Sequence, residues 1–222
     1  STNGVRKLAV VAQNGTYGDA AVSAIKAATK KAGITVSGTA RLGSAPDAAV
    51  QTVLADQEKT PDAVVVVADP TDASAVATGL NQAGFHGGVY LDAIAADSLF
   101  LGNAALNNAY LVYPQVIAMD DLVASTPAKA SQRQWFESYT SQYGAYAGPS
   151  SYAADAVQLV GMAATSSRSV DRAKLRAAIE TTSFAGLSGT IQFTPANHAG
   201  LNPRSLVMLR AVNGRWHQLT NG

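Results

Sequence analysis

Cysteine is missing from all 222 residues, which excludes disulfides and thiolate metal sites and leaves the redox compartment unread. Histidine is nearly as scarce. His86, His198 and His217 lie far apart and form no i, i+4 pair, so the ligand spacing of a helical metal site is lacking. Charge is sparse and balanced: 14% of residues are charged and the net is +1. No basic stripe alternates with aromatics, so nucleic acid is not expected as a partner. No apolar run approaches the roughly 20 residues that cross a bilayer. The opening residues also lack the charged-then-apolar pattern of a signal peptide, so one is expected to have been removed or never present.

Catalytic patterns are lacking too. Gly15-Thr16-Tyr17-Gly18 is followed by no Gly-Lys-Ser/Thr and does not have the glycine spacing of a dinucleotide loop. There is no Gly-x-Ser-x-Gly elbow and no histidine near a candidate serine. Asp120 and Asp121 are adjacent and so point apart. Neither an enzyme nor a cofactor is expected.

What the chain does contain is a repeated unit. Leu8 to Ala12 is a short apolar run that suits a strand buried on both faces, and it stops at the polar turn running from Gln13 to Gly18. A helix follows, with Asp19 as a cap or first-turn acid, Val22, Ile25 and Ala28 on one face, Lys30 and Lys31 in the last turn and Gly33 as a left-handed stop. Ile34 to Leu42 predicts a second strand. Ser44, Pro46 and Asp47 start a helix, with Ser44 as its cap, that ends near Thr60-Pro61. Ala63 to Ala68 is the most strand-like stretch and reads as a central parallel strand, closed by Asp69-Pro70-Thr71-Asp72 and another helix. Gly88 to Leu91 and Ala109 to Tyr113 complete five strands, with a short helix around Ala96 to Leu101 between them. Strands alternating with helices imply an α/β fold: an open, mostly parallel sheet of the flavodoxin-like kind, with ligands at the carboxyl ends of the strands.

From Pro114 the texture changes. Gln115 to Lys129 reads as irregular chain crossing between lobes. Helices are expected over Gln132 to Tyr143, Ser151 to Thr165 and Val170 to Thr182, the last capped by Asp171. Trp135, Phe136 and Tyr139 fall at helical spacing and read as a packing face. Strands follow over Ser188 to Thr194, Ser205 to Val212 and Arg215 to Leu219, the last two joined by the hairpin signal Asn213-Gly214. The expected organisation is an α/β lobe over 1–114, a helical return segment over 115–199, and terminal strands over 200–222 that rejoin the α/β lobe.

Five stretches in this order resemble the leucine/isoleucine/valine-binding family of periplasmic solute receptors, the type I binding proteins that feed ABC importers. They are LAVVAQNGTYGDA, TPDAVVVVADP, NQAGFHGGVY, SSYAADAVQLVGMA and FAGLSGTIQFTPANHAG. Members of that family begin with a further stretch that builds most of a first lobe, and the resemblance here starts at the second. It implies that residues 115–199 lack the sheet on which they would pack, so an exposed apolar helix face and self-association are expected.

Placement and resemblance together give the expected ligand-binding residues. Tyr17 follows the first strand and falls on a position that contacts ligand in the family; its other role is to cover the first turn of its helix. Asp69 follows the strongest strand, where a carboxylate can meet a ligand ammonium, although Asp-Pro-Thr-Asp also suits a helix cap. Asp92 ends the fourth strand, within a residue of the place where amino-acid receptors of the family hold the α-amino group; the aligned residue is Ala93. Tyr110 and Tyr113 end the fifth strand, with Tyr113 assigned to the mouth and Tyr110 to packing. The resemblance implies an extracytoplasmic receptor for amino acids or related small organic molecules, partnered by a membrane permease and closing two lobes on its ligand. The half-site argument predicts weak binding by this chain. The other reading is a ligand-sensing or protein-interaction module of a signalling receptor built on the same lobe.

Overall fold

The first apolar run forms β1 (Lys7–Ala12), buried from Leu8 onward, as a strand covered on both faces requires. The computed structural model describes residues 4–43, 45–56 and 60–219. In it, β1 is followed by α1 (Thr16–Ala32), β2 (Thr35–Arg41), α2 (Pro46–Leu54), β3 (Ala63–Val67), α3 (Pro70–Gln82), β4 (Gly88–Leu91) and β5 (Tyr110–Pro114). Helices α4 (Pro127–Tyr143), α5 (Ser150–Ser167) and α6 (Arg172–Ile179) come next, then β6 (Ser183–Ala185), β7 (Thr190–Gln192), β8 (Leu206–Val212) and β9 (Arg215–Gln218).

The main sheet has seven strands in the order β2-β1-β3-β4-β5-β8-β9. Pairings β1 with β2, β1 with β3, β3 with β4 and β4 with β5 are all parallel. Two C-terminal strands thus extend the five-strand expectation. They are joined at Asn213 and Gly214, whose φ values of 50° and 78° are those a two-residue hairpin turn demands. The chain divides into two units, one of residues up to Val112 plus Leu209–His217, the other of Tyr113–Met208 plus the chain from Gln218.

In the first unit, Leu8, Val10, Ala12, Ala63 and Val67 form one apolar face with Val22 of α1. The continuous valine run of β3 fits a strand whose other face is also covered: Val64 and Val66 are fully buried. Each such side chain stabilises the fold by about 1.5–3 kcal/mol relative to exposure. Gly33 ends α1 in the left-handed conformation, φ 69°. The expected cap of α2, Ser44, lies outside the described residues; Ala45 occupies the cap position without a side-chain bond, and the helix ends at Leu54, ahead of the Thr60-Pro61 stop. Between β4 and β5, one short helix was expected, and three 3-10 turns stand instead, over Ala93–Ala95, Ser98–Gly102 and Ala104–Leu106. The side chains of Asp97 and Asn103 accept from Leu99 and Ala105 N–H, restarting the chain every few residues before an α-helix can propagate.

In the second unit, Gln115–Asp121 is 3-10 helical with Val116, Ile117, Ala118 and Met119 all buried. The polar turn signals at Asp120 and Asp121 pointed to loose crossing chain, but four consecutive apolar residues bury instead. Helix α4 starts earlier than expected, because Thr126 caps it ahead of Pro127. Its aromatics pack as a face: Phe136 stacks on buried Tyr146 and Trp135 on Tyr139, with ring centroids 5.5 Å and 5.3 Å apart. Asp171 caps α6, accepting from Ala173 and Lys174 N–H. The strand expected over Ser188 to Thr194 shrinks to β7, which pairs antiparallel with β6.

A buried carboxylate holds the loop that precedes β7. Asp155 of α5, 2% exposed, accepts from Leu187 N–H at 2.6 Å and Ser188 N–H at 2.8 Å. Gln132 of α4 donates to the carbonyls of Gly186 and Leu187. The loop between β6 and β7 is thereby fixed by side chains in addition to the backbone bonds that Gly186 and Gly189 exchange across it.

The outer face of α5 is largely apolar and exposed. Val157 is 75% exposed and Val160 48%, with Tyr152 and Met162 also exposed. Because Val157 makes little contact, Val157→Glu is expected to change stability by no more than about 0.5 kcal/mol while lowering the fluorescence of a bound hydrophobic dye. Unchanged dye binding would mean that this face is not the accessible apolar surface.

Candidate functional site

Tyr17, Asp69 and Asp92 follow the carboxyl ends of β1, β3 and β4, three neighbouring strands. Parallel registers such as Ala12 with Val67 and Val66 with Leu91 bring these ends to one edge of the sheet, the position at which open α/β sheets take ligands.

The loop after β1 is shaped by close packing. Gln13 N–H donates to Val67 carbonyl at 2.8 Å, and Asn14 Nδ2 donates to Leu42 carbonyl at 2.6 Å. Gly15, at φ 98°, turns the chain into α1 through a conformation that favours glycine. At Gly18 a Cβ would lie 2.0 Å from the Gln13 carbonyl oxygen, so the glycine after Tyr17 is what lets the loop fold against the first turn of α1. Arg41, at the end of β2, donates to the same carbonyl at 3.2 Å and pairs with Asp19 at 2.5 Å. This pair is solvent-exposed and stabilises by at most about 1 kcal/mol, but it fixes the loop that carries Tyr17. Sequence reasoning passed over Arg41; the signal was its place at the carboxyl end of the strand beside β1.

Tyr17 is 46% exposed, and its hydroxyl donates to Asp92 Oδ2 in a short hydrogen bond. The side chain therefore spans from α1 to the tip of β4. Burial of the phenol, then the Asp92 hydrogen bond and the Asp92 charge, push its pKa above the ordinary tyrosine range. In Asp92→Asn the contribution of the charge vanishes while burial stays. A spectrophotometric titration is expected to show one tyrosine ionising at lower pH in the variant than in the wild type, and superimposable curves would contradict the pairing.

Asp69 and Asp92 part company chemically. Asp69 caps α3, its Oδ1 accepting from Thr71 N–H at 2.9 Å and Asp72 N–H at 3.1 Å. Asp97 and Asp171 also cap the turns they precede. Asp92 stands at the same N-terminal position of a 3-10 turn yet makes no side-chain cap bond. Of the four aspartates at cap positions among the described residues, Asp69, Asp92, Asp97 and Asp171, it alone makes no bond to the backbone of its turn, and Tyr17 takes only one of its oxygens. A carboxylate oxygen held at the sheet edge and left open can accept from a ligand ammonium or hydroxyl.

Tyr113 requires a correction. It was expected at the mouth of the site, but it is 2% exposed, with its hydroxyl donating to Gly148 carbonyl in a short bond and its ring edge-on to Tyr152 at 5.7 Å. The period of two along β5 puts Tyr110 and Val112 on one face and Tyr113 on the other, where burial pushes its phenol pKa upward. The structure brings Tyr17 and Asp92 into contact, sets Asp69 at the adjacent strand end, and leaves Tyr113 in the interior of the second unit. The described residues contain no group of three or more histidine, aspartate or glutamate side chains placed to hold a metal ion. No described helix is long and apolar enough to cross a membrane.

The family described as periplasmic binding protein matches residues 1–215. Among solved structures, an extracellular ligand-binding receptor from Rhodopseudomonas palustris HaA2 is similar with a TM-score of 0.87 at 22% identity, covering 98% of this chain and 64% of that one. A leucine-binding protein, LivK, from Thermotoga maritima gives 0.78 at 19% identity, with 99% and 61% covered. A solute-binding protein of an ABC transporter from R. palustris, in complex with benzoate, gives 0.75 at 20% identity, with 98% and 59% covered. The chain thus spans less than two thirds of the length of these structures. Among curated proteins, none matches the sequence.

Proposed function

We propose, from the premise that this chain belongs to the periplasmic binding protein family, that it forms the ligand-gripping part of a solute receptor serving an ABC importer. The substrate class we assign is amino acids or related small organic molecules, taken outside the cytoplasm and delivered to a membrane permease. The observation that carries this reading is Asp92, whose carboxylate leaves the helix-capping role and is oriented by Tyr17 at the sheet edge. Leucine and benzoate, the ligands named for two similar proteins, set the size of molecule that such an edge accommodates.

The mechanism is closure of two lobes on one ligand, the closed form being the one the permease recognises. A ligand shifts that equilibrium only by what it binds better in the closed form. In this chain, Tyr17 and Asp92 supply one wall and Asp69 the helix start beside it. The remaining polar shell belongs to the facing lobe, so binding by this chain alone is weak, with a dissociation constant of about 1 mM or more. Calorimetry with a panel of amino acids and aromatic acids tests this. Weak heats lost in Asp92→Asn agree with it; tight binding that ignores both Asp92→Asn and Tyr17→Phe overturns it.

The exposed face of α5 supports a further expectation, self-association of the chain as it stands, because contiguous apolar surface is uncommon on monomers. Light scattering is expected to give a mass above one chain that falls to one chain in Val157→Glu. A single-chain mass for the wild type contradicts self-association without touching the ligand wall.

A further inference from the structure

Beside the Tyr17–Asp92 pair, one turn further along α1, lies an apolar slot of about 320 Å³ in the first unit. Ala21, Ala24 and Ile25 of α1 form one wall, and Val67, Val112 and the stacked rings of Tyr90 and Tyr110 form the floor. Its volume is at the small end of the range of small-molecule sites. Two sequence features create it. Alanines stand where α1 would otherwise fill the space against β4 and β5. Gly88 lacks a Cβ, and a Cβ there would lie 2.8 Å from the Tyr90 ring. Tyr90 therefore leans toward the amino end of its strand, and the carboxyl end of the slot stays open.

Charge at that open end comes from Asp92, the sole aspartate or glutamate in the lining, with no lysine, arginine or histidine beside it. Tyr17 holds Asp92 Oδ2, and Oδ1 takes no hydrogen bond from any described residue.

We infer that this slot is a small-molecule site that takes an arylalkylamine and shares Asp92 with the proposed ligand wall, so that the two ligands exclude one another. The single ring lies between α1 and the tyrosine pair, and the ammonium donates to Asp92 Oδ1. A ring fits an apolar floor without leaving polar groups unpaired, and a cation is what the one carboxylate complements. An aromatic acid of the same shape meets like charge at Asp92. The inference goes beyond the receptor reading, because the ring sits against the side of the sheet under α1 and not in a cleft between lobes.

The test is heteronuclear NMR with 2-phenylethylamine, ethylamine and 3-phenylpropionate added to the whole chain. Phenylethylamine is expected to shift Ala21, Ala24, Ile25 and Val112 in a saturable way, with ethylamine and phenylpropionate each at least tenfold weaker. Ala24→Leu fills the slot and is expected to weaken phenylethylamine at least tenfold. Val112→Lys places a cation on the floor and is expected to reverse the preference between amine and acid; because it lies on β5, it also serves as a check should the α1 variant fold poorly. Equal binding of amine and acid, or no effect of either variant, overturns the slot, as does the absence of shifts along α1. Failure here leaves the receptor reading standing if leucine or benzoate still shifts the strand tips. Conversely, slot binding that survives a failed search for tip ligands overturns only that reading.

Discussion

Gly18→Ala is expected to destabilise the first unit by about 3 kcal/mol or more, the upper end of overpacking costs, and to uncouple Tyr17 from Asp92. Helix propensity alone predicts the opposite, a gain of about 1 kcal/mol for alanine over glycine inside a helix. Packing wins because the new Cβ would lie 2.0 Å from the Gln13 carbonyl oxygen and 3.0 Å from its carbonyl carbon. Both are backbone atoms, which have no rotamer to escape into. Either the loop or the first turn of α1 must move, and Tyr17 is the adjacent residue. Hydrogen exchange in β1 and α1 reads the stability, and tyrosine titration reads the uncoupling. A variant as stable as the wild type would remove the packing explanation for the Tyr-Gly pair.

The second large effect is placed in the other unit. Asp155→Ala leaves the N–H groups of Leu187 and Ser188 without their acceptors, at about 1–3 kcal/mol each when buried, so a loss of about 3 kcal/mol or more is expected in the α5 and β6-β7 region. Asp155→Asn is expected to rescue little. Its amide offers one acceptor to two donors, and its NH2 group would face a backbone N–H. Gly186 is part of the same arrangement, since a Cβ there would lie 2.7 Å from the Asp155 carboxylate. Denaturant unfolding followed by the fluorescence of Trp135 in α4, in a Trp216→Phe background, measures the effect, and an Asn variant indistinguishable from its parent would mean that the carboxylate is not what holds the loop. Because the chain has two units, such curves report on the unit that carries the probe and not on one global transition.

Much of the α/β half was legible because its signals are local. The valine run of β3, the glycine stop of α1 and the Asn213-Gly214 turn each act through a few neighbouring residues. Beyond Tyr113 the deciding contacts are distant in sequence. Asp155 holds a loop more than thirty residues away, a contact that nothing in the loop's own residues announces. The buried Val116 to Met119 segment was hidden by the acids that follow it.

The site divides in the same way. Strand-end placement of Tyr17, Asp69 and Asp92 follows from the βα pattern, but the choice between cap and ligand group does not. Asp69 and Asp92 both precede helical turns, and only coordinates separate the one whose carboxylate binds its own helix from the one that binds Tyr17. Tyr113 was assigned to the mouth from its position at a strand end, without weighing which side of the sheet its side chain faces. The same alternation that puts Tyr110 and Val112 on the slot buries Tyr113.

The central claim is that the tips of β1, β3 and β4 form a ligand wall organised by Tyr17 and Asp92. Its most direct measurement is amide chemical-shift mapping with leucine and with benzoate, in the wild type and in Asp92→Asn. The account predicts saturable shifts for at least one of them, confined to Gln13–Gly18, Asp69–Thr71 and Asp92–Ala93, and lost in the variant. Shifts located on other surfaces, or shifts at the tips that persist in Asp92→Asn, would contradict it.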